Sequence, residues 1–165
     1  MQGRQKTVTI LMADDDEDDS MLVSEALAES QLPIEAYIVR NGEELMDFLY
    51  NRGRYVDKSS APRPDLILLD LNMPKKDGIE ALRDIKNDPK LRRIPVVVLT
   101  TSGAQEDIDN AYDLGANSFI IKPVTFDSFV DVMKTLEKYW FEIVKLPLEG
   151  VGDENGQQPN QSSFD

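Results

Sequence analysis

The 165-residue sequence contains no cysteine and no histidine. These two absences exclude a Ser-His-Asp or Cys-His nucleophile, a disulfide framework and a zinc site of the usual nitrogen and sulfur ligands. Long apolar runs are also missing, since runs such as Val96-Val97-Val98-Leu99 are far shorter than the roughly 20 residues that span a bilayer. No apolar stretch follows the basic residues Arg4 and Lys6, as a signal peptide requires. We therefore expect a cytoplasmic protein that does not enter a membrane.

Basic residues are scarce relative to acidic ones. The chain has 31 Asp and Glu against 18 Lys and Arg, a formal net charge of −13. This charge argues against binding to nucleic acid or to an anionic membrane surface. We expect one folded domain over residues 1–149 and a disordered tail over residues 150–165, because the tail is polar and lacks hydrophobic periodicity. The groups left for chemistry are carboxylates, hydroxyls and amines, which suit hard cations and phosphoryl groups.

Short apolar segments alternate with stretches of helical periodicity along the chain. The apolar segments cover residues 7–12, 34–39, 66–69, 95–99 and 119–121, and each precedes a stretch with helical spacing. Such alternation predicts an α/β fold, with a parallel sheet covered by helices on both faces. Near-continuous runs of Val, Ile and Leu predict that the third, fourth and fifth strands are central.

Polar residues follow four of the predicted strands. In open α/β sheets, ligands bind outside the carboxyl ends of the strands. Those ends carry Asp14 and Asp15, Asp70, Thr100 and Lys122. Three converging carboxylates without soft ligands favour Mg²⁺, and a carboxylate beside a divalent ion can attack phosphorus to form an acyl phosphate. Lys122 would then neutralise part of the phosphoryl charge, and the Thr100 hydroxyl could bond one of its oxygens.

Each of these residues has a simpler interpretation when taken alone. The acidic block 14–19 could be a solvated charge run, Asp70 a helix cap and Lys122 a surface charge. Residues 14–25 also approach an EF-hand pattern, but Asp19 stands where that loop needs glycine, and a strand precedes the block instead of a helix. The coincidence of all these residues at strand ends favours a functional site. Of the six acids in the block, we expect only Asp14 and Asp15 to serve a metal, and the other four to be helix-start or solvent-facing charges.

Four segments in this order resemble a two-component receiver domain, and the resemblance covers roughly residues 6–145. They are Ile10-Leu11-Met12-Ala13-Asp14-Asp15-Asp16, Leu66-Ile67-Leu68-Leu69-Asp70-Leu71-Asn72-Met73-Pro74 with Asp77-Gly78, Val98-Leu99-Thr100, and Phe119-Ile120-Ile121-Lys122-Pro123. The resemblance implies a flavodoxin-like (βα)5 fold with a doubly wound, five-stranded parallel sheet in the order 2-1-3-4-5. This strand order comes from the resemblance to the family and not from the residues themselves.

The resemblance also implies a role for each site residue. Asp70 would accept a phosphoryl group from a sensor histidine kinase, and a partner must supply the donor because this chain has no histidine. Mg²⁺ would bind Asp15, Asp70 and the main-chain carbonyl of Asn72, with Asp14 acting through water. Apart from self-phosphorylation and slow self-dephosphorylation, no enzymatic activity is expected.

In a receiver, phosphorylation switches a signalling surface. By resemblance, Lys122 and Thr100 would contact the phosphoryl group, Thr100 would shift towards it, and Phe119 would turn inward. The fourth and fifth helices with the last strand would form the signalling face. Thr101 departs from the pattern, because receivers usually carry a smaller residue there, and it could narrow phosphoryl access or alter the lifetime of the phosphorylated state.

The chain is also similar, more specifically, to the single-domain regulators that partner bacterial phytochromes. The features that carry this similarity are the long loop 53–64, the segment Asp65-Leu66-Ile67-Leu68-Leu69-Asp70 and the ending Tyr139-Trp140-Phe141 with Leu146-Pro147. A stripe of Phe129, Met133, Leu136, Trp140 and Ile143 follows the predicted helix 125–144, which would be near 30 Å long. We expect its end, residues 140–144, to protrude and to present an aromatic patch that favours a homodimer.

Two alternatives come from other functional classes. A haloacid-dehalogenase-like phosphatase also uses a strand-end Asp nucleophile with Thr or Ser, Lys and Mg²⁺, which would make Asp70 the nucleophile. In that family the nucleophile comes before the acidic pair and is followed two residues later by an acid, whereas here the pair precedes Asp70 and Asn72 takes the later position. A phosphorylation-independent binding module with a relic site is disfavoured by the complete set of site residues.

Overall fold

Five parallel strands form a sheet in the computed structural model, which describes residues 7–29 and 33–143. The strands are β1 (Val8–Ala13), β2 (Ile34–Val39), β3 (Leu66–Leu69), β4 (Val96–Thr100) and β5 (Ser118–Ile121). Their order is β2-β1-β3-β4-β5, and every neighbouring pair is parallel. The predicted flavodoxin-like fold is therefore confirmed.

A helix follows each strand, and four of the five α-helices in the described residues begin at a residue whose side chain caps them. They are α1 (Glu17–Ala28), α2 (Gly42–Tyr50), α3 (Gly78–Asn87), α4 (Gln105–Asp113) and α5 (Phe126–Glu137), with a 3₁₀ turn at Gly53–Tyr55 and a π-helical segment at Lys138–Ile143. Side chains of Asp16, Asn41, Asp77 and Thr125 accept hydrogen bonds from the first turns of α1, α2, α3 and α5. Among these described helices, none has the length and apolar composition required to cross a membrane. Residue 144 and the predicted tail 150–165 lie outside the described residues.

The sheet separates two apolar cores. Successive strand residues point to opposite faces, so Leu11 and Ala13 of β1 join the core under α2, α3 and α4. Ile10 and Met12 join the opposite core, which contains residues of α1 and α5. Helices thus cover both faces, as the alternation of segments predicted.

Strand register brings the chemistry-bearing residues to one edge of the sheet. Ala13 at the end of β1 pairs with Leu69 at the end of β3, so Asp14 and Asp70 leave the sheet side by side. Thr100 pairs with Ile121 on β5, and the Lys122 N–H donates to the Thr100 carbonyl at 2.8 Å. The register therefore places four strand ends next to one another.

The prediction of three central strands is wrong for β5. β5 lies at the edge of the sheet, its residues are half-buried or exposed, and β1 is an interior strand instead. An apolar run indicates that a strand contacts a core, but it carries no information about whether both edges of the strand are paired.

The prediction of a protruding Trp140 is also wrong. Trp140 is only 8% exposed and packs in the core with Phe129, Met133 and Leu136. Its neighbour Tyr139 is 51% exposed and contacts the Trp140 ring edge-on at 5.4 Å between centroids. The exposed aromatic side chain at this end of the helix is therefore Tyr139, and the side chain of residue 143 lies outside the described part.

Candidate functional site

Buried polar side chains converge at the carboxyl ends of β1, β3, β4 and β5. Lys122 Nζ lies 2.7 Å from Asp14 Oδ2 and 3.0 Å from Asp70 Oδ2. The Thr100 hydroxyl donates to Asp70 Oδ1 at 2.9 Å. All four residues are at most 7% exposed. The structure thus brings together residues that stand up to 108 positions apart in sequence.

Three carboxylates at this edge could hold a metal ion. Oxygens of Asp14, Asp15 and Asp70 lie within 4.8 Å of one another, and Asp15 is exposed while the other two are buried. The donors are all carboxylate oxygens, and the exposed side leaves room for water, which fits Mg²⁺. None of the later acids of the EF-hand-like pattern belongs to this group.

The electrostatics of the buried residues favour a cation. Burial raises the pKa of Asp14 to about 6, because the hydrogen bond from Lys122 offsets only part of the desolvation and the Asp70 carboxylate adds repulsion. Burial lowers the pKa of Lys122, but its hydrogen bonds to Asp14 and Asp19 outweigh that effect and hold the pKa above its ordinary value. Lys122 is therefore a permanent cation that cannot by itself neutralise the carboxylates around it.

The loop between β1 and α1 holds Asp14 in a fixed orientation. Asp14 N–H donates to the Val39 carbonyl at 3.0 Å, and Asp14 Oδ1 accepts from Asp16 N–H at 2.9 Å. The Arg40 guanidinium donates to the Asp14 carbonyl at 3.2 Å and to the Ser20 hydroxyl at 2.8 Å. Arg40 is a supporting residue that sequence reasoning missed, and it directly follows β2, whose carboxyl end meets the same edge.

The segment after β3 places the candidate phosphoacceptor. Asp70 N–H donates to the Ala13 carbonyl at 3.0 Å, and Asp70 Oδ1 accepts from Asn72 N–H at 3.0 Å. The Asn72 amide nitrogen lies 3.5 Å from Thr100 Oγ1. Asn72 is thus adjacent to the site, and the role of its main-chain carbonyl as a metal ligand stays a prediction. Asp70 Oδ2 faces Lys122, so both oxygens of Asp70 have partners.

Asp19 also reaches Lys122, although it was expected to face solvent. Its Oδ2 lies 2.8 Å from Lys122 Nζ, and its side chain is 23% exposed. A signal for this contact was present, because Asp19 precedes the buried Val23 and Ala26 of α1 by four and seven residues and so lies on the inward face of that helix. Asp16 does cap α1, and Glu17 and Asp18 are exposed, as predicted.

The two predicted switch residues lie on adjacent strands. Thr100 ends β4 and bonds Asp70, while Phe119 of β5 is half-buried against the core under α4. The Phe119 N–H faces the open edge of the sheet and donates to the Tyr112 hydroxyl of α4 at 3.1 Å. Thr101 is exposed. Movement of Thr100 and Phe119 on phosphorylation stays a prediction.

Comparison with known proteins gives consistent similarities. The family model for the response regulator receiver domain matches residues 10–134. Response regulator Rcp1 of Synechocystis sp. is 44% identical over 138 residues, which are 84% of this chain and 92% of that protein. The crystal structure of the phosphorylated cyanobacterial phytochrome response regulator RcpA matches with a TM-score of 0.82 and 45% identity, over 87% of this chain and 100% of that one. Mn²⁺-bound response regulator Rcp1 matches with a TM-score of 0.80 and 43% identity, over 86% and 99%. These similarities give no support to the haloacid-dehalogenase-like alternative.

Proposed function

The chain belongs to the response regulator receiver domain family and is homologous to the phytochrome response regulators Rcp1 and RcpA, and we propose that Asp70 is its phosphoacceptor. The observation that carries this proposal is the placement of the Asp70 carboxylate. One of its oxygens accepts from Thr100 at 2.9 Å, and the other lies 3.0 Å from Lys122. A hydroxyl and an ammonium group beside the same carboxylate suit the oxygens of a phosphoryl group that joins it.

The transfer joins one Asp70 oxygen to phosphorus and breaks the bond between phosphorus and its donor atom. That donor atom is the imidazole nitrogen of a phosphohistidine or the acyl oxygen of acetyl phosphate, and it leaves with the bonding electron pair. Lys122 and Thr100 would donate hydrogen bonds to the transferred oxygens. Asp15, Asp70 and the Asn72 carbonyl, with Asp14 through water, would hold Mg²⁺, which neutralises phosphoryl charge when bound.

The absence of histidine means that another protein must supply a phosphohistidine donor. Receiver domains of phytochrome response regulators partner with histidine kinases, and we assign this chain a kinase of the phytochrome type. The similarity to RcpA and Rcp1 over more than four fifths of the chain supports that assignment. Self-phosphorylation from small donors and slow self-dephosphorylation complete the proposed chemistry.

The signal would leave through the face formed by α4, β5 and α5. Thr100 connects Asp70 to the end of β4, and Phe119 lies on the neighbouring strand β5. Because β5 is an edge strand whose residues are half-buried or exposed, a change at Phe119 would alter the surface along this strand. A phosphoryl anion on Asp70 would shift the equilibrium between two arrangements of Thr100 and Phe119.

The groove between β5 and the last helix is the surface we propose for a homodimer. Apolar side chains of Ile120, Val132, Leu136, Tyr139 and Trp140 line a groove between β5 and the last helix. Tyr139 is half exposed beside this groove, and such a patch favours association of two copies.

Labelling with acetyl phosphate and Mg²⁺ tests the phosphoacceptor. The wild-type chain should incorporate about one phosphoryl group, and peptide mapping after borohydride reduction should place it at Asp70. Asp70→Asn should incorporate none, because an amide is a poor nucleophile. Asp18→Asn is the matched control, since it removes an exposed carboxylate from the neighbouring helix start, and it should be labelled like wild type. Equal labelling of Asp70→Asn and wild type would refute the assignment, and repeated turnover of excess donor would point to a phosphatase.

A further inference from the structure

We propose that Asp19 is a positioning residue that holds the Lys122 ammonium group in place for the phosphoryl group once a divalent cation is bound, directly by Asp70 and through water by Asp14. The inference rests on the proposed function, since it concerns how Lys122 serves a phosphoryl group on Asp70. Asp19 takes no proton and forms no bond to phosphorus, so it acts only through Lys122.

All three hydrogens of the Lys122 ammonium group have carboxylate partners. A lysine ammonium group has three donors and no acceptor. Nζ lies 2.7 Å from Asp14 Oδ2, 2.8 Å from Asp19 Oδ2 and 3.0 Å from Asp70 Oδ2. The Lys122 side chain is only 4% exposed, so water has little access to replace a lost partner. Each carboxylate therefore contributes to the orientation of Nζ.

The three partners of Lys122 differ in what else they can bind. Asp14 and Asp70 belong, with Asp15, to the group of acids whose oxygens are close enough to share a cation, and Asp19 does not. A divalent cation competes with Lys122 for the carboxylates of Asp14 and Asp70, because like charges that share the same anions repel each other. When the cation is bound, Asp19 is therefore the partner of Lys122 whose negative charge is not shared with the cation.

The position of Asp19 is fixed by the start of α1. Asp16 caps the helix and accepts from the backbone N–H of Asp19 at 3.1 Å. One turn later, Val23 is buried in the core against the sheet. The carboxylate therefore comes from a capped helix turn and not from a free loop. Fixing Nζ before the phosphoryl group arrives removes an ordering cost from the transfer step.

The experiment compares wild type with Asp19→Asn, which removes the charge and keeps the size, and with Asp18→Asn, which removes a charge from the same turn. The labelling rate is measured with acetyl phosphate at saturating Mg²⁺. We expect Asp19→Asn to be labelled about tenfold more slowly, the effect of losing one charged hydrogen bond. Asp18→Asn should stay within about twofold of wild type. Asp19→Ser, which shortens the side chain, should be labelled as slowly as Asp19→Asn. It takes the place of Asp19→Asn if Asp19→Asn does not fold.

A second readout follows Lys122 directly, without a phosphodonor. The ¹⁵N–¹H NMR signal of the Lys122 ammonium group should be visible with Mg²⁺ in wild type and Asp18→Asn, because its hydrogens are held. In Asp19→Asn with Mg²⁺, the ammonium group loses one charged partner, so increased motion of Nζ should broaden or shift that signal. Labelling of Asp19→Asn at or above the wild-type rate would overturn the proposal, and so would slow labelling with an unchanged Lys122 signal. Failure to label wild type at Asp70 would refute the proposed function, while the NMR comparison would still test Asp19.

Discussion

Replacing Gly78 with alanine should disturb both the stability of the fold and the position of Asp70, the proposed phosphoacceptor. Gly78 is the first residue of α3, and its N–H donates to the Leu71 carbonyl at 3.0 Å. A Cβ at this position would lie 2.3 Å from the Asp70 carbonyl oxygen and 2.5 Å from Leu71 Cα. Real Cβ atoms essentially never come closer than 3.0 Å to such neighbours, so the helix start and the Asp70 backbone must separate by about 0.7 Å.

The size of the effect follows from two opposing contributions. Overpacking costs about 1–3 kcal/mol, and the upper end applies because both close neighbours are backbone atoms that cannot rotate away. Alanine gains up to about 1 kcal/mol over glycine in helix propensity. Gly78→Ala should therefore lose about 2 kcal/mol of unfolding free energy, which lowers Tm by about 6 °C in a domain of this size.

Urea unfolding followed by tryptophan fluorescence measures this loss, because Trp140 is the sole tryptophan and is buried. Gly103→Ala is the matched control. Its Cβ would meet only the side chain of Ile121, whose terminal methyl would lie 3.0 Å away, and that exposed side chain can move. We expect the control to stay within about 0.5 kcal/mol of wild type. Acetyl phosphate labelling of Gly78→Ala should also slow, since the Asp70 backbone is displaced. A Gly78→Ala variant with wild-type stability and labelling would refute the reasoning.

Two further predictions concern the metal-free site and the groove at the end of α5. Without metal, burial raises the Asp14 pKa from 3.8 to about 6. Ionised Asp14 therefore destabilises the fold fully above pH 6. This destabilisation disappears below about pH 4, where the carboxyl is protonated in the folded and the unfolded chain. In EDTA at pH 7.5, urea titration should give Asp14→Asn a free energy of unfolding about 2 kcal/mol higher than that of wild type. At pH 4 this difference should disappear, and an equal difference at both pH values would contradict the prediction. Tyr139→Ser should weaken a homodimer in sedimentation velocity, because it removes the exposed ring beside the groove. A wild-type chain that sediments as a monomer at micromolar concentration, phosphorylated or not, would argue against the dimer.

Most of the site could be predicted from the sequence because parallel strands end at the same edge of a sheet. Asp14, Asp70 and Lys122 directly follow apolar strands and Thr100 ends one, so their convergence needs only the strand boundaries and the parallel topology. The contact between Asp19 and Lys122 cannot be predicted from strand boundaries and topology alone, because it spans 103 positions and depends on how α1 sits against the end of β5.

Sequence by itself determined the fold class and the oxygen-rich chemistry of the site, and it excluded a histidine of this chain as the donor in the proposed phosphoryl transfer. These follow from local patterns, from the residues at strand ends and from the lack of histidine and cysteine. Only the tertiary structure decided that β5 is an edge strand, that Trp140 is buried and that Asp19 shares Lys122 with Asp14 and Asp70. The physical reason is that hydrophobic periodicity specifies which face of an element is covered, whereas a hydrogen bond of 2.7–3.0 Å depends on the relative placement of elements distant in the chain.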